Sequence, residues 1–412
     1  MSLSPLINAQ LRHDAPFAWV MRDQAVVSPR FGKQDIAEFD QRLEAFLDLI
    51  RMQLQSYPDT VESIALDDWG GLFVHALLMI ETQNIARFEQ LLKQVDEQGK
   101  QWRELASALC WLPFDAVRDF LILAFQSTNP AARCAALTAI RHHNAPLNDQ
   151  QLQTCLDDND TRVAIQTLRL IGDNKLHSGI RLDAYIDHSE EAICFHAIRA
   201  AILLGAHHYL PKLQVFATTD TPFLRDALML IYPLLTHAQV VELIKAIESS
   251  SLSPRIKLYN LGLSGLPESI DKIFAWLADD EFGPVAGDAF AFITGVDIEE
   301  DDLSPVTDTP FRQAQEEDHD NINKRRKQDH WAQSYETDLP RPGEAEVRAW
   351  WENHQARFPE GLRYLNGLSY SSDDLAQTLE FGNQMQRQMA TLALALQYPE
   401  QRVVNIKAHR SM

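Results

Sequence analysis

The chain has 412 residues, 45% of them hydrophobic, which is enough to bury a large core. Its formal net charge of −21 at pH 7 repels phosphate backbones and anionic lipid heads. That excess disfavours nucleic-acid binding and points to a protein partner with a basic surface.

No apolar run reaches the roughly 18 residues that cross a bilayer, so no membrane association is expected. The opening MSLSPLINAQLRHDAPF has no basic stretch followed by an apolar one, so no export signal is expected. Cys110, Cys134, Cys155 and Cys194 are scattered through apolar segments without a CxxC. They read as small buried thiols, and a reducing cytoplasm fits them.

Residues 1–65 form an N-terminal segment with a capping helix. Over 35–56, Ile36, Phe39, Leu43, Phe46, Leu47 and Ile50 fall on one helical stripe. From 66 to 298 a small residue followed by a large apolar one recurs at Ala76-Leu77, Ala108-Leu109, Ala136-Leu137, Thr167-Leu168, Ala197-Ile198, Ala227-Leu228, Asn260-Leu261 and Ala289-Phe290. The spacings are 32, 28, 31, 30, 30, 33 and 29 residues. Turn and cap signals open several copies: Asn129-Pro130, Asp158 to Asp160, Thr221-Pro222, Ser253-Pro254 and Gly283-Pro284. Second amphipathic stretches lie between them, at 84–97, 147–158, 238–249 and 267–279. Two helices per roughly 30 residues is the HEAT pattern, so the expected fold is all-α, an α-solenoid of HEAT-like helix pairs with a helical cap at each end.

Composition then changes. From Glu281 to Asp320 there are twelve acidic residues against the single base Arg312, followed by Lys324-Arg325-Arg326-Lys327. Residues 299–342 therefore read as a charged linker, with partner docking as the functional alternative. The carboxylates Asp297 and Glu299 to Asp302 lack the spacing and central glycine of a calcium loop. Residues 343–412 read as a C-terminal helical cap. Val347, Trp350, Trp351, His354 and Phe358 share one stripe, Gly361 to Gly367 forms a tight connection, and 372–397 forms one long helix. The tryptophans read as core. The functional alternative has Trp350, Trp351, His354, Arg363 and Tyr364 lining a partner-binding surface, because Trp, Tyr and Arg dominate binding hot spots.

Several strings resemble one uncharacterised bacterial family. They are AWVMRDQAV (18–26), FDQRLEAFLDLIR (39–51), AGDAFAFITGVDI (286–298), VRAWWENHQARFPEGLRYLNG (347–367) and QMQRQMATLALALQYP (384–399). The family consists of HEAT-repeat proteins often encoded beside type VI secretion components and their toxin cargo. The resemblance runs from about residue 8 to 405, and the 299–340 stretch departs from it in length and charge. It implies fold and context but carries no established enzymatic activity.

No metalloprotease, nucleophile-elbow, P-loop or dinucleotide-binding motif is present. Gly262-Leu263-Ser264-Gly265 is one residue short of an elbow. His142-His143 and His207-His208 are adjacent pairs that diverge by about 100° on a helix and make poor metal clamps. No catalytic residue, metal or cofactor is assigned. The expected function is a cytoplasmic, non-enzymatic scaffold, an adaptor or accessory protein for a type VI secretion effector. The alternatives are an immunity protein that occludes a basic toxin domain and, third, a HEAT-like nucleic-acid repair enzyme.

Overall fold

A computed structural model of the chain describes residues 5–54, 64–66, 69–96, 99, 101–305 and 329–409, with side chains from residue 13 onward. Among the described residues the regular structure is helical, apart from one two-stranded hairpin. They fall into two compact units. Unit 1 comprises Met1–Val26, Lys33–Tyr209 and the segment from Pro399; unit 2 comprises Val27–Gly32 and Leu210–Tyr398. None of the described helices is long and apolar enough to cross a membrane.

Unit 1 starts with α1 (Pro5–Ala25) and α2 (Lys33–Leu54), which pack together. The series α3 (Gly71–Glu81), α5 (Trp102–Trp111), α7 (Pro130–His143), α9 (Thr161–Asp173) and α11 (Glu191–Leu203) follows, each packed on the next. Between them lie α4 (Ile85–Gln94), α6 (Phe114–Phe125), α8 (Asp149–Leu156) and the short α10 (Asp183–Ile186). Unit 2 continues the alternation with α12 (Leu210–Thr218), α13 (Leu224–Ile231), α14 (His237–Glu248), α15 (Pro254–Ser264), α16 (Ile270–Phe274) and α17 (Gly283–Thr294). There α13 packs on α15 and α15 on α17. This serial helix-on-helix packing is consistent with a helical solenoid.

All eight small–large pairs lie on the odd-numbered helices α3 to α17, and all sixteen residues are buried. Each large member removes enough apolar surface from water to contribute about 1.5–3 kcal/mol. Small residues let the helices approach. A Cβ on Gly172 would meet the Ala200 Cα at 2.8 Å, and one on Gly262 would meet that of Ala289 at 3.0 Å. Where the small position is polar, its side-chain oxygen is hydrogen-bonded locally, although the buried Asn260 Nδ2 has no partner among the described residues. Asn260 accepts from the Tyr232 hydroxyl at 2.5 Å, and Thr167 donates to the Val163 carbonyl at 2.9 Å. The cap signals act as read: Asn129, Asp160 and Ser253 accept from the first-turn amides of α7, α9 and α15.

Four sequence expectations change. Residues 13–25 continue a helix, although only α2 was expected near the N-terminus. The segment from Pro399 packs within unit 1 instead of ending a C-terminal cap. There Val403 N donates to the Asp173 carbonyl at 2.9 Å, Arg22 Nη2 donates to the Lys407 carbonyl at 3.0 Å, and His409 stacks on Trp111 at 4.0 Å. The expected helix over 372–397 is two helices, α19 (Ser372–Phe381) and α20 (Gln384–Gln397), preceded by α18 (Glu344–His354). Gly382 turns extended, and the Asn383 side chain accepts from Met385 N and Gln386 N to start α20. Finally, the described parts of 299–342 are not wholly solvated: Leu303, Trp331 and Glu336 are buried, while Glu299 to Asp302 are exposed. The rest of that stretch, 306–328, lies outside the described residues, with the basic knot 324–327.

Candidate functional site

The five residues proposed from sequence lie in unit 2, where they divide into two groups. Trp350, Trp351 and His354 sit on α18, all half-buried. Both indoles meet Phe290 of α17 edge-on, at 5.7 Å for Trp350 and 6.3 Å for Trp351. His354 stacks on Trp350 at 4.2 Å, and its Nδ1 is 2.7 Å from the Trp350 carbonyl. Read from the sequence as core, both tryptophans are only half-buried. The two share the Phe290 edge, and Val347 and Phe358 fill the core.

Arg363 and Tyr364 belong to the hairpin that follows. β1 (Tyr364–Leu365) and β2 (Leu368–Ser369) are joined by Asn366-Gly367, both at positive φ, the two-residue turn whose twist matches an antiparallel pair. The Arg363 guanidinium donates to the Ser264 carbonyl at 2.7 Å and the Tyr232 carbonyl at 2.6 Å. It lies 4.4 Å from the Tyr370 ring centroid. Tyr364 N donates to the Gly265 carbonyl at 2.8 Å. Gly265 ends α15 at φ +69°, and a Cβ there would lie 2.6 Å from the Tyr364 carbonyl oxygen. These contacts satisfy helix-end carbonyls and fasten the hairpin to α15. Arg363 and Tyr364 are therefore anchors, while Trp350 and His354 keep partial exposure.

No protein-family model, curated protein or solved structure matches the chain.

The sequence reading missed the strongest electrostatic cluster of unit 2. Arg255, at the start of α15, is 2% exposed and meets three carboxylates: Glu281 at 2.8 Å, Asp329 at 2.8 Å, and Glu336. Beside it, Arg225 lies 3.8 Å from the Tyr259 ring centroid and donates to the Tyr335 hydroxyl at 2.8 Å. Asp288 lines the same cavity. Burial pushes its carboxyl up to about 7, against the pull of Arg225 and with a further push from Glu336. A near-neutral carboxyl with a guanidinium and two phenols is the equipment of acid–base chemistry. However, the centre of a water molecule can reach only about 20 Å³ of this cavity. That is room for about one water and not for an organic substrate. The cluster ties residues 329–339 to α13, α15 and α17. One signal could have revealed it: Asp288 is the sole charge in the otherwise apolar or neutral α17.

The remaining chemistry read from sequence is also structural. Ser264 is fully buried and donates to the Leu261 carbonyl at 2.6 Å. His142 and His143 close the last turn of α7; burial lowers both, His142 to about 4. Among the described residues no group of three or more His, Cys, Asp or Glu is placed to hold a metal. Burial pushes the Cys110 and Cys134 thiols up to about 12.

Proposed function

We propose that this chain is a non-enzymatic scaffold of HEAT-like helix pairs that holds a protein with a basic surface. The observation that carries this reading is the serial packing of α3 to α11 and of α13 to α17 through the recurring small–large pairs. Stacked repeats of this kind expose rows of neighbouring helices as long binding surfaces. The acidic excess supplies the sign of the partner's charge. The half-buried Arg225–Asp288 cluster supports the non-enzymatic reading, because its polar groups surround a cavity too small for a substrate. The sequence resemblance to the secretion-linked HEAT family directs the choice of partner towards a type VI effector or secretion component.

The test is co-purification with the products of adjacent genes, paired with secretion and toxicity assays in cells lacking the chain. Capture of a basic effector with loss of its secretion supports the adaptor role. Rescue of cells expressing an adjacent toxin assigns occlusion instead, and turnover of a damaged-base oligonucleotide refutes the non-enzymatic reading.

A further inference from the structure

Unit 1 holds a larger cavity, about 230 Å³ open to the centre of a water molecule. Trp19 of α1 and Trp69, just before α3, contribute its aromatic wall, and Asp23, Asp96 and Glu104 contribute carboxylates against the single base Arg103. With all ionised, the lining carries a formal charge of −2. Trp19 is buried and held by stacking on Phe73, with ring centroids 5.9 Å apart. Glu104, on the first turn of α5, is 6% exposed, and one of its carboxylate oxygens accepts from Gly70 N at 3.0 Å and Leu72 N at 3.1 Å. The site is therefore held by α1, α3 and α5 rather than by one loop.

Its rim is apolar. A Cβ on Gly70 would lie 2.3 Å from the Pro16 carbonyl oxygen, so the chain before α3 passes directly over α1. Trp69 and Phe17 flank that contact in sequence, each 63% exposed, and Met21 lies one turn further along α1 at 37%. Indole faces and carboxylates together select for a cation. A small free cation would fill the cavity but leave Phe17 and Trp69 in water, whereas a protein surface covers them.

We infer that this cavity seats the guanidinium or ammonium head of an Arg or Lys projected by the basic partner, with Phe17 and Trp69 covered by apolar side chains beside it. This rests on the proposed scaffold function and names the chemistry of its docking point. Burial drives the Glu104 carboxyl up to about 7, the amides of Phe73, Gly70 and Leu72 pull it down, and Asp23 adds to the rise. Asp96 and Arg103 also line the cavity around it. An entering cation favours the carboxylate, so binding releases a proton and strengthens from pH 6 to pH 8.

The test titrates acetyl-Gly-Leu-Arg-Leu-Gly-amide into the full chain at low salt, followed by calorimetry and tryptophan fluorescence. The Lys and Gln counterparts and tetramethylammonium serve as comparison probes. The Arg and Lys peptides bind, the Gln peptide binds at least about tenfold more weakly, and so does tetramethylammonium. Trp69→Ala and Asp23→Asn each weaken the Arg peptide by about fivefold or more without moving the melting temperature, and Glu104→Gln flattens the pH dependence. Equal binding of the Gln peptide, equal binding of tetramethylammonium, or wild-type affinity in Trp69→Ala and Asp23→Asn overturns the assignment. The titration uses no partner, so a failed capture leaves it standing. A failed titration with successful capture places the docking point elsewhere.

Discussion

Replacing Arg255 by Met asks whether residues 329–336 belong to the fold or hang from it as a charged tether. Arg255 is 2% exposed, and Glu281, Asp329 and Glu336 all contact its guanidinium. Removing one partner of a buried ion pair costs about 3–5 kcal/mol, because the charge left behind has lost its counter-charge. Three carboxylates are left here. Asp329, with 19% side-chain exposure, can recover some water, whereas Glu336 at 4% cannot. The fold also loses a guanidinium lying 5.1 Å from the Phe282 ring centroid. Met keeps most of the aliphatic volume, so the expected loss is about 4 kcal/mol and is chiefly electrostatic. For a unit on the order of 200 residues, 1 kcal/mol moves Tm by about 2–4 °C, which gives a fall of about 8–16 °C. Thermal melts followed by circular dichroism, with matched urea titrations, measure it. A melting temperature within about 2 °C of the wild type would refute the packed reading of 329–336.

Asp288→Asn tests the half-buried carboxyl of the cavity. Its folded pKa is raised above the unfolded value, so its contribution to stability is fully present below about 4 and is lost as pH rises through about 7. Because the residue keeps some exposure, about 2 kcal/mol is expected, and the Asn variant should gain that much on the wild type between pH 5 and pH 8 in urea melts; a gain in the opposite direction contradicts it. Arg363→Met should cost about 3 kcal/mol and speed amide exchange at Tyr364, since the helix-end carbonyls of Tyr232 and Ser264 lose their donor; unchanged exchange would show that the hairpin does not need this anchor. Trp350→Ala and Trp351→Ala should each cost about 2 kcal/mol, less than a fully buried indole, because both are half-buried on Phe290; a gap above about 2 kcal/mol would show that only one indole sits in the core.

The repeat was legible because it is local. A small residue beside a large apolar one, a cap a few residues earlier and a spacing near 30 are all read within one window. That is why the eight pairs landed on successive odd-numbered helices. The features that failed depend on distance along the chain. Arg255 and Glu336 are 81 residues apart, so the sequence showed only an acidic run where the fold has a charge cluster around one guanidinium. The segment from Pro399 followed α20 in sequence and was read as part of the same cap, yet it docks on residues as distant as Arg22. Apolar periodicity alone joined α19 to α20, and only the extended Gly382 with the Asn383 cap divides them. Among the five candidate residues, residue type suggested a binding surface. The structure shows the Arg363 guanidinium and the backbone amide of Tyr364 engaged with helix-end carbonyls.

If an acidic helical scaffold holds a basic protein, the complex should weaken as salt screens the attraction. The partner captured by the intact chain would be purified and its Kd measured by calorimetry from about 50 to 300 mM salt, a range over which the Debye length falls well below 10 Å. The expected partner has a basic face, and its affinity weakens steadily as salt rises and weakens further with Trp69→Ala. A salt-independent affinity for a protein without a basic face, or a captured nucleic acid in place of any protein, would contradict it.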